Sequence, residues 1–175
     1  KLLGARTIVI ADVLDDAMYR SVATAITLLE KDDPKAPITV FVNSPGGSAD
    51  AGFAIYDLFR FTSCPVHTIA NGIVASAAVL IYLGGTPGKR FALPNARFLL
   101  HQPSTSTRGQ AADIDITARE ILKLKVRYNE VVSEATGHAV DKLTADSDRD
   151  FWLTAKEAAA YKLVDRIVAR RAELS

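Results

Sequence analysis

Short apolar runs that read as buried strands alternate with segments of helical period through the first half of this chain. That alternation restricts it to an α/β architecture. Residues 7–11 (TIVIA) form the first such strand. Asp15-Asp16 then open a helix, their charge suiting its positive end, and Met18, Val22, Ile26 and Leu29 give it one apolar face. Asp33-Pro34 stops it. Residues 38–42 are the second strand, running into Asn43-Ser44-Pro45-Gly46-Gly47. Ser48 or Asp50 caps a second helix to about Phe61, with Phe53, Ile55, Leu58 and Phe59 free to pack. Residues 65–70 are a third strand that Gly72 is expected to end, and a helix follows through Leu83 to Gly84-Gly85. Two short strands are expected near Arg90-Phe91-Ala92 and at residues 97–100.

Residues 110–136 are the longest periodic segment, with Gly137 as the C-terminal cap. Ile114, Ala118, Ile121, Leu124, Tyr128 and Val131 form one stripe. Ile116, Leu122, Val126 and Val132 carry apolar character to other faces. A helix apolar on more than one face needs more than one packing partner, and a second subunit is one candidate. The last unit has a capping box at Thr154-Ala155-Lys156-Glu157, a helix to Lys162 and a strand at 164–168.

The length of 175 residues suits one domain, 1–175, without repeats or a linker. A net charge of +1 argues against nucleic-acid or membrane-surface binding driven by bulk charge. The single cysteine, Cys64, excludes an internal disulfide and fits a reducing compartment. The apolar run at 77–83 is too short to span a bilayer; no signal peptide is visible, and since the chain begins abruptly at Lys1 a processed leader stays open. No zinc-ligand spacing, Walker loop or dinucleotide glycine pattern is present.

Three residues stand where acyl-transfer chemistry wants them: Ser76, His101 and Asp150. Ser76 opens an apolar helical run, where an N-terminal N–H faces a developing oxyanion. The same position suits an ordinary N-cap serine, and no G-x-S-x-G elbow surrounds it. His101 ends an apolar strand, whereas His67 and His138 read as structural or solvated. Asp146, Asp148 and Asp150 offer three carboxylates in one charged loop, among which sequence alone does not choose. Asp150 differs in abutting Phe151 and Trp152, which are expected to bury it in part. Pro45-Gly46-Gly47 can bring backbone N–H groups close to a ligand, although such a turn is a weak signal alone.

The chain resembles the proteolytic subunit of the Clp protease. The matching stretches run in order: Val42-Asn43-Ser44-Pro45-Gly46-Gly47-Ser48, Ala51-Gly52-Phe53-Ala54-Ile55-Tyr56-Asp57, Ala75-Ser76, Gly88-Lys89-Arg90 and Leu93-Pro94-Asn95. His101-Gln102-Pro103, Gly109-Gln110-Ala111-Ala112-Asp113-Ile114 and Asp148-Arg149-Asp150 complete them. The resemblance implies a crotonase-like β/α spiral with a protruding strand-helix handle at about 102–136. It implies Ser76 as nucleophile, His101 as base, Asp150 as orienting acid, and the N–H groups of Gly47 and Ala77 as oxyanion hole. It also implies a homo-oligomer of two stacked heptameric rings, with Gln110, Asp148 and Arg149 at the contact between rings.

Further implications concern partners. A ring-shaped AAA+ unfoldase would use the ATP and deliver unfolded polypeptide, so this chain needs no cofactor and no metal. The expected location is the bacterial cytoplasm, with an organellar matrix or stroma as the alternative. The family's pore-lining segment would precede Lys1. Members usually carry Gln where Ile73 stands, often Met-Gly where Ala77-Ala78 stand, and glycines where Ser104-Thr105-Ser106-Thr107-Arg108 stand. Those departures raise the expectation of altered or weak cleavage. They also motivate an alternative, a low-activity structural or regulatory paralogue in a mixed barrel. An acyl-CoA enzyme on the same fold is a third reading, for which no acidic pair is placed.

Overall fold

The computed structural model describes residues 3–103, 106 and 108–174. Its elements are β1 (Thr7–Ile10), α1 (Asp16–Asp32), β2 (Ile38–Ser44), α2 (Ala49–Phe61), β3 (Val66–Ala75), α3 (Ala77–Leu83), β4 (Arg90–Ala92) and β5 (Arg97–Leu100). There follow α4 (Ala111–Thr136), α5 (Val140–Asp146), β6 (Phe151–Thr154), α6 (Ala155–Ala160) and β7 (Arg166–Ile167). The strands lie in the order β1-β2-β3-β4-β7, with β5 pairing β3 and carrying β6 on its other edge. Every pairing is parallel except β5 with β6. The alternation of strand and helix therefore has the expected meaning: helical crossovers return the chain to a parallel sheet.

Gly72 does not end β3, contrary to the sequence expectation. Val42 pairs with Ala70 and Ser44 with Val74, so β3 takes four steps where β2 takes two. The surplus forms a bulge, with Gly72 at φ +102. A side chain at Gly72 would meet the Asn43 Oδ1 at 2.4 Å. That oxygen accepts the Ile73 N–H at 3.0 Å and holds the bulge shut. The bend lets one strand serve two neighbours. Thr68 to Ala70 pair with β4, and Ile73 to Ala75 pair with β5.

The helix after β3 begins only at Ala77, and all seven of its residues are buried. A helix apolar all round needs cover on every side, and α3 has it from β3, α2 and α4. The longest helix, α4, is different. Its C-terminal half buries Tyr128, Asn129, Val132 and Thr136. Its first two-thirds leave Ile114, Ile116, Leu122 and Val126 exposed. No helix among the described residues is long and apolar enough to cross a membrane.

Two elements have no counterpart in the sequence reading. One is α5, whose Leu143 is its single buried residue, so its periodic signal is faint. The other is β6, where Leu153 points inward while Trp152 and Thr154 point outward. The final strand shortens from 164–168 to Arg166–Ile167. Ser104, Thr105 and Thr107, which carry the expected loss of adaptability in the handle, lie outside the described residues.

Acid sensitivity is built into the periphery. Glu30 is held below its ordinary range chiefly by the Ser63 backbone N–H, Asp33 by those of Lys35 and Ala36. Asp146 is held down by hydrogen bonds from Lys142 and Tyr161, and Glu157 by those from Thr154. Each folded pKa lies below the unfolded one. The stability these carboxylates supply is thus complete above the ordinary carboxylate range and is lost as pH falls through the depressed values. Thermal melts are expected to shift little through these groups between about pH 6 and 8 and to drop progressively below about pH 4.5.

Candidate active site

The sheet register brings the site together. The Ser76 N–H bonds the Leu99 carbonyl at 2.9 Å, tying the end of β3 to β5. His101 is the first residue beyond β5. In the antiparallel ladder Leu100 pairs with Phe151, so the next rung sets His101 against Asp150. His101 Nδ1 lies 3.5 Å from Asp150 Oδ1. This distance is an ion-pair contact, longer than a good hydrogen bond. Among the described residues no hydrogen bond joins the Ser76 hydroxyl to His101, although both line one cavity. Catalytic hydrogen bonds are commonly loose before substrate binds.

Ser76 is no ordinary N-cap. Its side chain makes no capping bond, and its backbone is strained at φ 56, ψ −127. A non-glycine residue in that region costs on the order of 1–3 kcal/mol and persists only where the surroundings enforce it. Here the enforcement comes from Leu99 on the N–H and from Val79 and Tyr128 on the carbonyl. The Val79 N–H donates to it at 3.0 Å and the Tyr128 hydroxyl at 3.3 Å. Burial pushes the Tyr128 hydroxyl far above its usual range, so it stays a donor. By sequence Tyr128 is one member of an apolar stripe. Nothing in a stripe shows that one phenol reaches a carbonyl on another helix.

The Pro45-Gly46-Gly47 turn lies directly against this elbow. A Cβ at Gly46 would meet the Ala75 carbonyl and the Ser76 Cβ, each at 2.7 Å. At Gly47, with φ +143, it would meet the Leu14 carbonyl at 2.4 Å. Leu14 anchors the turn, donating to the Gly46 carbonyl and accepting from Ser48 N–H, each at 2.8 Å. The N–H groups of Gly47 and Ala77 have no partner among the described residues, and both residues line the cavity with Ser76. Two free donors beside a serine hydroxyl can receive an anionic oxygen.

The structure also separates the three carboxylates. Asp146 ends α5 and is held by Lys142 and Tyr161. Asp148 accepts from the Gln102 side chain at 2.7 Å. Asp146 lies near His138, and of the three only Asp150 pairs with His101. Its side chain is 64% exposed, so Phe151 and Trp152 do not bury it as expected. The strand pleat explains the difference: Trp152 turns outward beneath Arg97, whose guanidinium lies 4.4 Å from the ring centre. Of the remaining expected site residues, Gln110 precedes α4 without a side-chain cap, and Arg149 is exposed beside Asp148. His138 is packed against Tyr161 with Nε2 buried and without a hydrogen bond among the described residues, and His67 is half-buried, its burial lowering its pKa. No cluster of three metal-ligating side chains occurs among the described residues.

A sequence model described as Clp protease matches residues 1–171. The ATP-dependent Clp protease proteolytic subunit 3 of Rhizobium meliloti (strain 1021) is 47% identical over 99% of this chain and 88% of its own length. Subunit 2 from Treponema denticola is 40% identical over 99% of this chain and 87% of its own. Among solved structures, a ClpP1 point mutant from Listeria monocytogenes superposes with a TM-score of 0.93 at 37% identity, covering 99% of this chain and 97% of that one. With relatives this similar aligned almost end to end, and with the crotonase-like sheet and helices reproduced, the chain belongs to the Clp protease family.

Proposed function

We propose that this chain is the serine endopeptidase subunit of an ATP-dependent protease and that Ser76, His101 and Asp150 form its triad. The observation that carries the reading is the strained Ser76 elbow facing two N–H groups without a partner among the described residues, with His101 and Asp150 paired just beyond the facing ends of adjacent strands. The Ser76 hydroxyl attacks the scissile carbonyl and passes its proton to His101 Nε2. Asp150 on the Nδ1 side fixes the tautomer and balances the imidazolium. The Gly47 and Ala77 N–H groups receive the oxyanion, each worth about a hundredfold or more in rate. Collapse expels the amine with the proton from His101. Water, activated by the same base, then releases the acyl-enzyme.

The reading includes assembly. Exposed Ile114, Ile116, Leu122 and Val126 on α4 support a homo-oligomeric contact there. We assign two stacked heptameric rings, with Gln110, Asp148 and Arg149 at the ring-to-ring contact. A ring-shaped AAA+ partner spends the ATP and feeds unfolded polypeptide. The chain itself works without cofactor or metal, in the bacterial cytoplasm. The low-activity paralogue is not favoured, because the relatives are themselves named as proteolytic subunits.

Intact mass after incubation with a fluorophosphonate tests the assignment. One adduct per wild-type chain, absent in Ser76→Ala, is expected. A wild-type chain that stays unmodified under conditions where native mass spectrometry shows it assembled would overturn it.

A further inference from the structure

The cavity beside Ser76 has a volume of about 300 Å³ and lies between the N-terminal ends of α2 and α3 and the middle of α4. Its walls mix apolar side chains, Phe53, Leu80, Ile121 and Leu124 among them, with polar groups. Among the described residues one acid, Asp50, stands in that lining, and no lysine or arginine does. Ser48, not Asp50, caps α2, its hydroxyl accepting from Ala51 N–H at 3.2 Å. Asp50 makes no hydrogen bond or ion pair among the described residues. No basic side chain of α4 forms an ion pair with it among the described residues. Lys125 donates to Gln102 at 3.0 Å, and the Arg127 guanidinium sits 4.3 Å from the Phe53 ring centre.

We propose that Asp50 gives this site a preference for lysine or arginine at the residue whose carbonyl Ser76 attacks. The inference rests on the catalytic reading above. That residue's side chain departs from the carbon next to the reacting carbonyl, so it enters the space adjoining Ser76 and the two N–H groups. A slot that combines an apolar side with one carboxylate suits a side chain with a methylene stem and a cationic head. The stem lies along the apolar walls and the head meets Asp50. A purely aliphatic side chain fills the same walls but draws water away from an unpaired carboxylate, which opposes binding. Since Asp50 is exposed, its effect is modest, roughly fivefold to tenfold, and is weakened by salt.

Two fluorogenic peptides differing only in lysine or norleucine at that residue provide the test, since the two differ in charge and little in shape. The ratio of their kcat/KM values is read for wild type, Asp50→Asn and Asp50→Glu at low and high salt. The same two side chains on aminoalkyl phosphonates, which phosphonylate a reactive serine directly, give a second reading as labelling rates. Expected is a lysine-to-norleucine ratio above one that falls roughly fivefold to tenfold in Asp50→Asn, recovers in Asp50→Glu and declines with salt. A wild-type ratio below one, or one unchanged in Asp50→Asn, overturns the proposal while leaving the triad intact. No cleavage of either peptide, with no fluorophosphonate adduct on assembled protein, would instead overturn the catalytic reading and this inference with it.

Discussion

Ser76→Ala is expected to lower kcat for peptide hydrolysis by about 10⁴-fold or more while leaving oligomeric mass unchanged. Removing the nucleophile of a triad leaves only binding and oxyanion stabilisation. The Ser76 hydroxyl makes no hydrogen bond among the described residues, so its loss breaks no contact that holds the fold. Peptide turnover and native mass spectrometry on the same preparation check both halves. Retained turnover would remove Ser76 from the mechanism.

Stability offers an independent check on the same residue. Ser76→Gly is expected to melt above Ser76→Ala. Alanine inherits the strain of φ 56, whereas glycine adopts that conformation freely. The net difference is about 1 kcal/mol, because glycine also makes the unfolded chain more flexible. A serine there is best understood as strain kept for presentation of its hydroxyl.

The largest stability effect is expected at Arg90. Its guanidinium is buried and grips Asp165 through Nε at 3.0 Å and Nη2 at 2.7 Å, while the Arg90 backbone N–H donates to the same carboxylate at 2.9 Å. The pair joins the start of β4 to the chain entering β7. Arg90→Met leaves the Asp165 carboxylate largely enclosed with one backbone donor. Breaking one partner of such a pair costs about 3 kcal/mol, which corresponds to a melting temperature lower by roughly 6–12 °C in a chain of this length. The double variant Arg90→Met/Asp165→Leu is expected to recover most of that loss, because no unpaired charge remains. Urea unfolding at one fixed protein concentration measures all three, since assembly would otherwise shift the apparent stability. Equal losses in the single and double variants would mean that packing, not the stranded charge, sets the cost.

Local rules made several parts of this molecule legible. Asp15 and Ser48 cap the helices they precede, and Thr154 with Glu157 closes a capping box. Gly137 ends α4 in the left-handed conformation. Each of these depends on a few neighbouring residues. The failures have a common cause as well. Gly72 reads as a strand end because glycine usually is one, and only the facing Asn43 side chain turns it into a bulge. β6 is a strand because β5 is there to pair with it.

The candidate site divides along the same line. Strand-helix alternation, the Pro45-Gly46-Gly47 turn and the identities of Ser76 and His101 could be read from the chain, because they follow from periodicity and from what each residue type can do. Three things could not. These are the choice of Asp150 over Asp146 and Asp148, the strain and bracing of Ser76 by Leu99 and Tyr128, and the placing of Asp50 in the wall beside Ser76. All three are distances between residues far apart in sequence. Only closure of the sheet and the docking of α4 set those distances, because a side chain's chemistry is local while its partners are fixed by packing.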